Sequence, residues 1–281
     1  MSILRILLMF FMLFLLLGAI GFVIGLLVGN GLLWLELFLI LAFIINVFSV
    51  LFSYKLVLWS YHAKEIREEE NPRLFALVRD VSQNASIPMP RIAIAPIDTP
   101  NAFATGISKK KAFIVFTSGI LSLLNEKELR GVIGHELGHI KHKDILVVTT
   151  AATIASALMI GSRIFGFRAF FDSRRSGQDL VVMLLLILAA TGAMMLQLAI
   201  SRQRELYADE HGAKVNNSSS GLISALQKLE NWNVRKPIQN SNPATASLFI
   251  VNPLGKINVR RLFSTHPPME ERIERLRNLG I

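Results

Sequence analysis

From Ile6 to Val28 the chain carries no charged residue, and a second apolar run, Leu32 to Phe52, follows almost at once. Each is long enough to cross the ~30 Å hydrocarbon core as a helix, which takes about 20 residues. The first run is longer than the ~7–15-residue apolar region of a cleaved leader, and a second span follows directly, so it reads as an uncleaved anchor. Gly21, Gly25 and Gly29 recur at four-residue spacing, which lets a neighbouring helix come close. Packing of the two spans on each other is the first use of such a ladder; self-association into a homo-oligomer is the second.

The rest of the composition agrees with a membrane protein. Hydrophobic residues make up 52% and charged residues 18% of the 281, and soluble domains carry about 25% charge. The net charge of +10 fits basic residues flanking membrane spans. No aromatic-basic recognition module accompanies it, so the bilayer is the expected partner and nucleic acid is not. The turn between the runs holds Asn30 and Gly31 without Lys or Arg, whereas Lys55, Lys64 and Arg67 follow the second. That asymmetry puts the region from Tyr54 onward on the cytoplasmic side. There is no cysteine, so any metal must be held by His, Asp or Glu.

Four regions follow. Residues 1–53 hold the two spans. Residues 54–144 read as an α+β unit. Asn71 caps a helix through Leu74, Leu77 and Val78, and Arg91 to Ala95 forms a strand. Asn101 to Ile107 and Ala112 to Phe116 pair across a lysine-rich tip, Ser108 to Lys111. Residues 145–200 form a hydrophobic hairpin of two further membrane segments, which makes about four in all. Residues 201–281 return to polar, helical sequence, interrupted by a long loop from Arg235 to Lys256.

The chemistry concentrates in Gly134-His135-Glu136-Leu137-Gly138-His139-Ile140. Residues four apart on a helix lie nearly above one another, so His135 and His139 can share one ion. Glu136 lies one step round, within reach of a water on it. Asn125 and Glu128 make a capping box at the start of this helix. Leu129, Val132, Ile133, Leu137 and Ile140 give it an apolar stripe.

A catalytic zinc takes three protein ligands and leaves a position for water. Glu205, in Arg204-Glu205-Leu206-Tyr207-Ala208-Asp209, supplies the third, because the hydrophobic hairpin returns it to the side of the motif helix. Asp209, one turn on, would accept the outer N–H of a ligand histidine. The rival is His142, but three ligands on one straight helix cannot surround an ion tetrahedrally. His62 and His211 carry no partner pattern, and Glu210 reads as a solvated charge.

His135-Glu136-Leu137-Gly138-His139 followed by Glu205-Leu206-Tyr207-Ala208-Asp209 resembles the HExxH…ExxxD signature of the membrane metalloprotease family that contains HtpX and the type I CAAX prenyl endopeptidases. Asn101-Ala102-Phe103-Ala104-Thr105-Gly106 resembles that family's cleft-bordering strand. Ser264-Thr265-His266-Pro267-Pro268, with Arg272 after it, resembles its C-terminal His-Pro element. The two N-terminal spans look like HtpX rather than the more polytopic prenyl proteases. The resemblance implies an α-helical membrane protein with an α+β, zincin-like protease domain. It implies one Zn2+ per chain on His135, His139 and Glu205, with Glu136 as base and His266 facing the oxyanion. Asp209 and Arg272 would support the ligands, and Asn101, Ala102 and Phe103 would bind substrate. The activity implied is cleavage of misfolded or damaged membrane proteins, in quality control and stress response, at the bacterial inner membrane. A zinc-holding scaffold or chaperone without proteolysis is the alternative, and it requires a fourth protein ligand.

Overall fold

The computed structural model describes residues 2–142, 145, 147–149, 202–235, 250 and 267–281. His266, almost all of the 235–256 loop and the expected membrane hairpin beyond Thr149 lie outside them; at that hairpin's expected start Ile145 is instead buried in the same core as Ile133 and Leu137, and the Thr149 hydroxyl lies 3.2 Å from that of Thr105. The described residues fall into two compact units, one ending at Ser53 and the other beginning at Tyr54.

In the first unit the apolar runs form α1 (Ser2–Val28) and most of α2 (Gly31–Ser60). Helix α2 is long and apolar enough to cross a membrane; in α1 the described apolar stretch is Phe10–Leu26. One membrane-crossing helix is therefore clear among the described residues, against the expected four segments. The glycine ladder works as expected at two of its rungs. A Cβ on Gly21 would lie 2.6 Å from the Trp34 carbonyl, and one on Gly25 would lie 2.5 Å from Gly31 Cα. Gly29 instead makes the turn, at φ +94° with open space around it. Leu13, Leu17, Ile20 and Ala42 are buried between the helices, while Leu4, Phe11, Leu15, Leu32, Ile40 and Phe43 stay exposed. An apolar outer surface of that extent suits lipid.

Helix α2 outlasts the predicted span. Its 30 residues measure about 45 Å, longer than a ~30 Å hydrocarbon core. The excess is used in the second unit, where Val57 and Tyr61 just past the helix pack on one face of a sheet.

That sheet has the order β1-β2-β4-β3: β1 (Lys64–Glu65), β2 (Arg91–Ala95), β3 (Ala102–Gly106) and β4 (Ala112–Thr117). Strand β4 runs parallel to β2 and antiparallel to β3. Alternate residues serve two cores. Ala93, Ala95, Phe103, Phe113 and Val115 meet Val57 and Tyr61. Ile92, Ala102, Ala104, Ile114 and Phe116 meet the helical layer. Burial on both faces explains why β4 reads as an apolar run rather than an alternation.

The helical layer contains α3 (Pro72–Asn84), α4 (Ser118–Leu123), α5 (Glu126–Lys141), α6 (Arg202–Val215), α7 (Ser220–Arg235) and α8 (Met269–Arg277). Asn71 caps α3 through the Leu74 N–H, and Asn125 and Glu128 cap α5 reciprocally, as expected. Helix α5 is the centre of the layer, because glycines open one of its sides. A Cβ on Gly131 would strike the Leu222 backbone at 2.6 Å, and one on Gly134 would lie 2.9 Å from Gly212 Cα. Gly138 faces Ala208 at 3.0 Å. Bare backbone along that side lets α6 and α7 approach closely, and this closeness lets side chains of α6 reach those of α5.

Candidate metal centre

His135 and His139 project from α5 with their Nε2 atoms 3.2 Å apart. Glu205, in the first turn of α6, brings Oε2 to 3.7 Å from His135 Nε2 and Oε1 to 3.5 Å from His139 Nε2. One donor from each of the three residues lies within 4.8 Å of the others. Ligands at the ~2.0–2.1 Å bond lengths of zinc sit about 3.3–3.4 Å apart along a tetrahedral edge, so these spacings suit one such ion.

The protonation pattern agrees. His135 Nδ1 lies 2.8 Å from Asp209 Oδ1. A hydrogen on that nitrogen would face the carboxylate and leave the Nε2 lone pair turned to the other two donors. A lone pair, an imidazole and a carboxylate converging in a buried space call for a cation.

Asp209 is itself held. Arg272, from α8, donates from Nε and Nη2 to both of its oxygens at 2.7 Å. Burial alone would raise the Asp209 carboxyl, but the Arg272 charge and its paired hydrogen bonds, with His135, hold it below the usual carboxylate range. Arg272 is 1% exposed, and burial pushes its pKa down, but Asp209 first, then Glu205 and Glu136, raise it above the usual value.

Glu136 has the opposite balance. Burial pushes its carboxyl up, and Glu205 adds to that. His135, His139 and a hydrogen bond from the Ala104 backbone N–H oppose the shift without cancelling it. The Ala104 bond shows how the edge strand faces the centre. Thr117 N–H donates to the Asn101 carbonyl, so Phe103 and Thr105, in register with β4, point their backbone groups at β4. Ala102 and Ala104 turn theirs away from it, toward α5.

The expected site residues therefore divide. His135, His139, Glu205, Glu136, Asp209 and Arg272 come together, with Ala102 and Ala104 bordering them. Phe103 puts its ring on the opposite sheet face, 4.8 Å from Tyr61. Asn101 is 1% exposed and its side-chain oxygen accepts from the Ile250 N–H at 3.1 Å. His142, the rival ligand, ends α5 with its ring edge-on to His211 at 6.3 Å, outside the donor group. His211 has partners after all: Lys141 Nζ at 3.1 Å from Nε2, and the Gly134 carbonyl at 3.3 Å from Nδ1. Burial pushes its pKa down. Ile250 was not foreseen; its signal is the short apolar run Leu248-Phe249-Ile250-Val251 inside an otherwise polar loop.

Residues 68–280 match peptidase family M48. The chain is 46% identical over 277 residues to a Protease HtpX homolog of Thermococcus sibiricus, covering 95% of this chain and 93% of that one. It is 48% identical over 244 residues to the Methanocaldococcus jannaschii homolog, with 85% and 86% covered. To the Syntrophobacter fumaroxidans homolog it is 44% identical over 247 residues, with 85% and 88% covered. Among solved structures, S. mikatae Ste24p shares the fold: TM-score 0.51, 18% identity, covering 86% of this chain and 58% of that one.

Proposed function

The chain is an HtpX-like member of peptidase family M48, and on that premise we propose that it is a membrane-bound, zinc-dependent endopeptidase that cuts misfolded or damaged membrane proteins. The observation that carries the reading is the convergence of His135, His139 and Glu205 at 3.2–3.7 Å beside a buried Glu136.

His135, His139 and Glu205 would hold one zinc per chain. Bound there, zinc supplies Lewis acidity to a water and to the scissile carbonyl. Asp209 accepts the His135 Nδ1–H and fixes the ring and tautomer, and Arg272 keeps Asp209 ionised and aimed. Glu136 takes a proton from the attacking water and returns it to the leaving amine. Its raised basicity suits a group that must both accept and release a proton near neutral pH. The Ala104 N–H fixes the carboxylate while it waits. The outward backbone groups of β3 other than the Ala104 N–H pair with an extended substrate strand, which favours unfolded segments over a fixed sequence. His266, by family resemblance, faces the developing oxyanion.

Residues 1–53 and the hydrophobic stretch after Thr149, to about residue 200, anchor the protein, and residues 54–149 and 201–281 form the catalytic domain on the cytoplasmic side. Relatives include archaeal proteins, so the proposal names the cell membrane rather than a bacterial inner membrane alone. The scaffold alternative finds no support in the donor geometry: the Asp209 carboxylate is engaged by His135 and Arg272, and His142 stands by His211.

Full-length protein purified in detergent should cleave casein, lose that activity on chelation and regain it with zinc. Cleavage that survives complete metal removal contradicts the proposal.

A further inference from the structure

Ile250 is a single residue held on both of its backbone polar groups by side chains. Its N–H donates to Asn101 Oδ1 at 3.1 Å and its carbonyl accepts from Arg272 Nη1 at 2.8 Å. Its side chain is 3% exposed and packs into the main core. An N–H can be satisfied only by the oxygen end of the Asn101 carboxamide, so the amide orientation follows from the contact.

Both holders are themselves fixed. The Asn101 backbone is bound to Thr117 at the end of β4 three times. Asn101 N–H donates to Thr117 Oγ1 at 2.8 Å, and the Asn101 carbonyl accepts from the Thr117 N–H at 2.9 Å and its hydroxyl at 3.0 Å. Arg272 spends Nε and Nη2 on Asp209 and Nη1 on Ile250. One planar guanidinium thus sets the Ile250 peptide against the carboxylate that orients His135.

These contacts close a circuit. It runs from His135 to Asp209, Arg272, Ile250 and Asn101, along β3 to Ala104, and back through the Ala104 N–H to Glu136, the neighbour of His135. The circuit fixes the separation between the edge strand and the helix bearing the metal donors. An extended peptide bound along β3 must fit that separation.

We infer that Asn101 is a positioning residue: its carboxamide oxygen, together with Arg272, clamps the Ile250 peptide and so sets the spacing of the edge strand from the metal helix. This rests on the endopeptidase reading for its catalytic consequence, and on the contacts alone for the clamp. It differs from substrate binding in the atom that matters. A residue that grips a substrate carbonyl or oxyanion needs the amide hydrogens; the clamp needs the oxygen.

Asn101→Asp separates the two, because it keeps an acceptor and removes both donors. Asn101→Ala removes everything, and Asn101→Leu serves if the alanine variant does not fold. In metal-loaded, full-length protein, Asn101→Ala should lose about tenfold or more in kcat/KM for casein at unchanged metal content, and Asn101→Asp should lose clearly less than Asn101→Ala. Arg272→Lys should resemble Asn101→Ala, since one ammonium cannot serve Asp209 and Ile250 together. Hydrogen exchange at the Ile250 amide is the second readout, with protection in wild type and Asn101→Asp and loss of it in Asn101→Ala. Asn101→Asp falling as far as Asn101→Ala in cleavage overturns the catalytic part. Equal Ile250 protection in wild type and Asn101→Ala overturns the clamp. The exchange result decides the clamp even if the wild-type protein cuts nothing.

Discussion

Helix α5 buries two glutamates, eight residues apart and each 3% exposed, and treats them in opposite ways. At its N-terminal end Glu128 is saturated. It accepts from Ser224 at 2.6 Å, Lys228 at 2.8 Å and the Asn125 N–H at 2.8 Å. Burial would raise its carboxyl, but these partners outweigh burial and hold it below the usual range. The helix N-terminus favours the same negative charge. In the middle of the helix Glu136 has one backbone donor, and burial wins. Neither touches solvent to any extent, but Glu128 lies just under the surface beside the partly exposed Lys228 while Glu136 lies deep, so burial and partners both separate them. A carboxylate whose hydrogen bonds are complete stabilises the fold, whereas one left short of partners keeps the basicity that proton transfer needs.

The largest expected separation between the two is catalytic. Glu136→Gln should lower kcat for casein about 10²–10⁴-fold, the usual contribution of a general base, with metal content unchanged. Its melting temperature should stay level or rise, because a costly buried charge is removed. A cleavage rate near that of wild type would break the contrast. Next in size is the support of the ligand: Asp209→Asn should weaken metal affinity about 10–100-fold, measured by competition with a chelator. Unchanged affinity would mean that the Arg272–Asp209 pair serves the fold alone.

Glu128→Ala should do the reverse of Glu136→Gln. It should cost about 1–3 kcal/mol of stability through lost cap and ion-pair bonds, while kcat at a temperature where the protein stays folded remains that of wild type. The pH dependence sharpens this further. Because the folded-state pKa of Glu128 is lowered, its contribution is present above the unfolded-state value and is lost as pH falls through the lowered one. The stability gap between wild type and Glu128→Ala should therefore narrow on acidification. A gap that widens in acid would contradict the assignment.

The parts legible in the sequence are those governed by local rules. The capping box on α5, the Asn71 cap, strand β2 and the hairpin pairing of β3 with β4 all follow from short-range patterns. Helical spacing marks His135, Glu136 and His139 on one helix and Glu205 and Asp209 on another, while the expectation that the two helices meet comes from the hydrophobic hairpin and the family resemblance. What escaped is set by tertiary contact. Nothing local marks the end of α2 as sheet cover, because an apolar helix reads alike against lipid and against a core. The resemblance makes Asn101 a substrate contact, and nothing local shows that its amide oxygen turns to the Ile250 N–H. Glu128 reads as a cap in the sequence, and its pairing with Lys228, a hundred residues on, has no short-range signature. The closeness of α5 to α6 depends on Gly134 and Gly138, which in the sequence are only the filler of the motif.

The central claim is that His135, His139 and Glu205 share one catalytic metal on which the neighbouring Glu136 acts. Metal content and casein cleavage measured on the same preparations of wild type and Glu205→Ala test it most directly. Wild type should carry one zinc per chain and cleave, and Glu205→Ala should lose both. A Glu205→Ala protein that retains full zinc and full cleavage would contradict the claim.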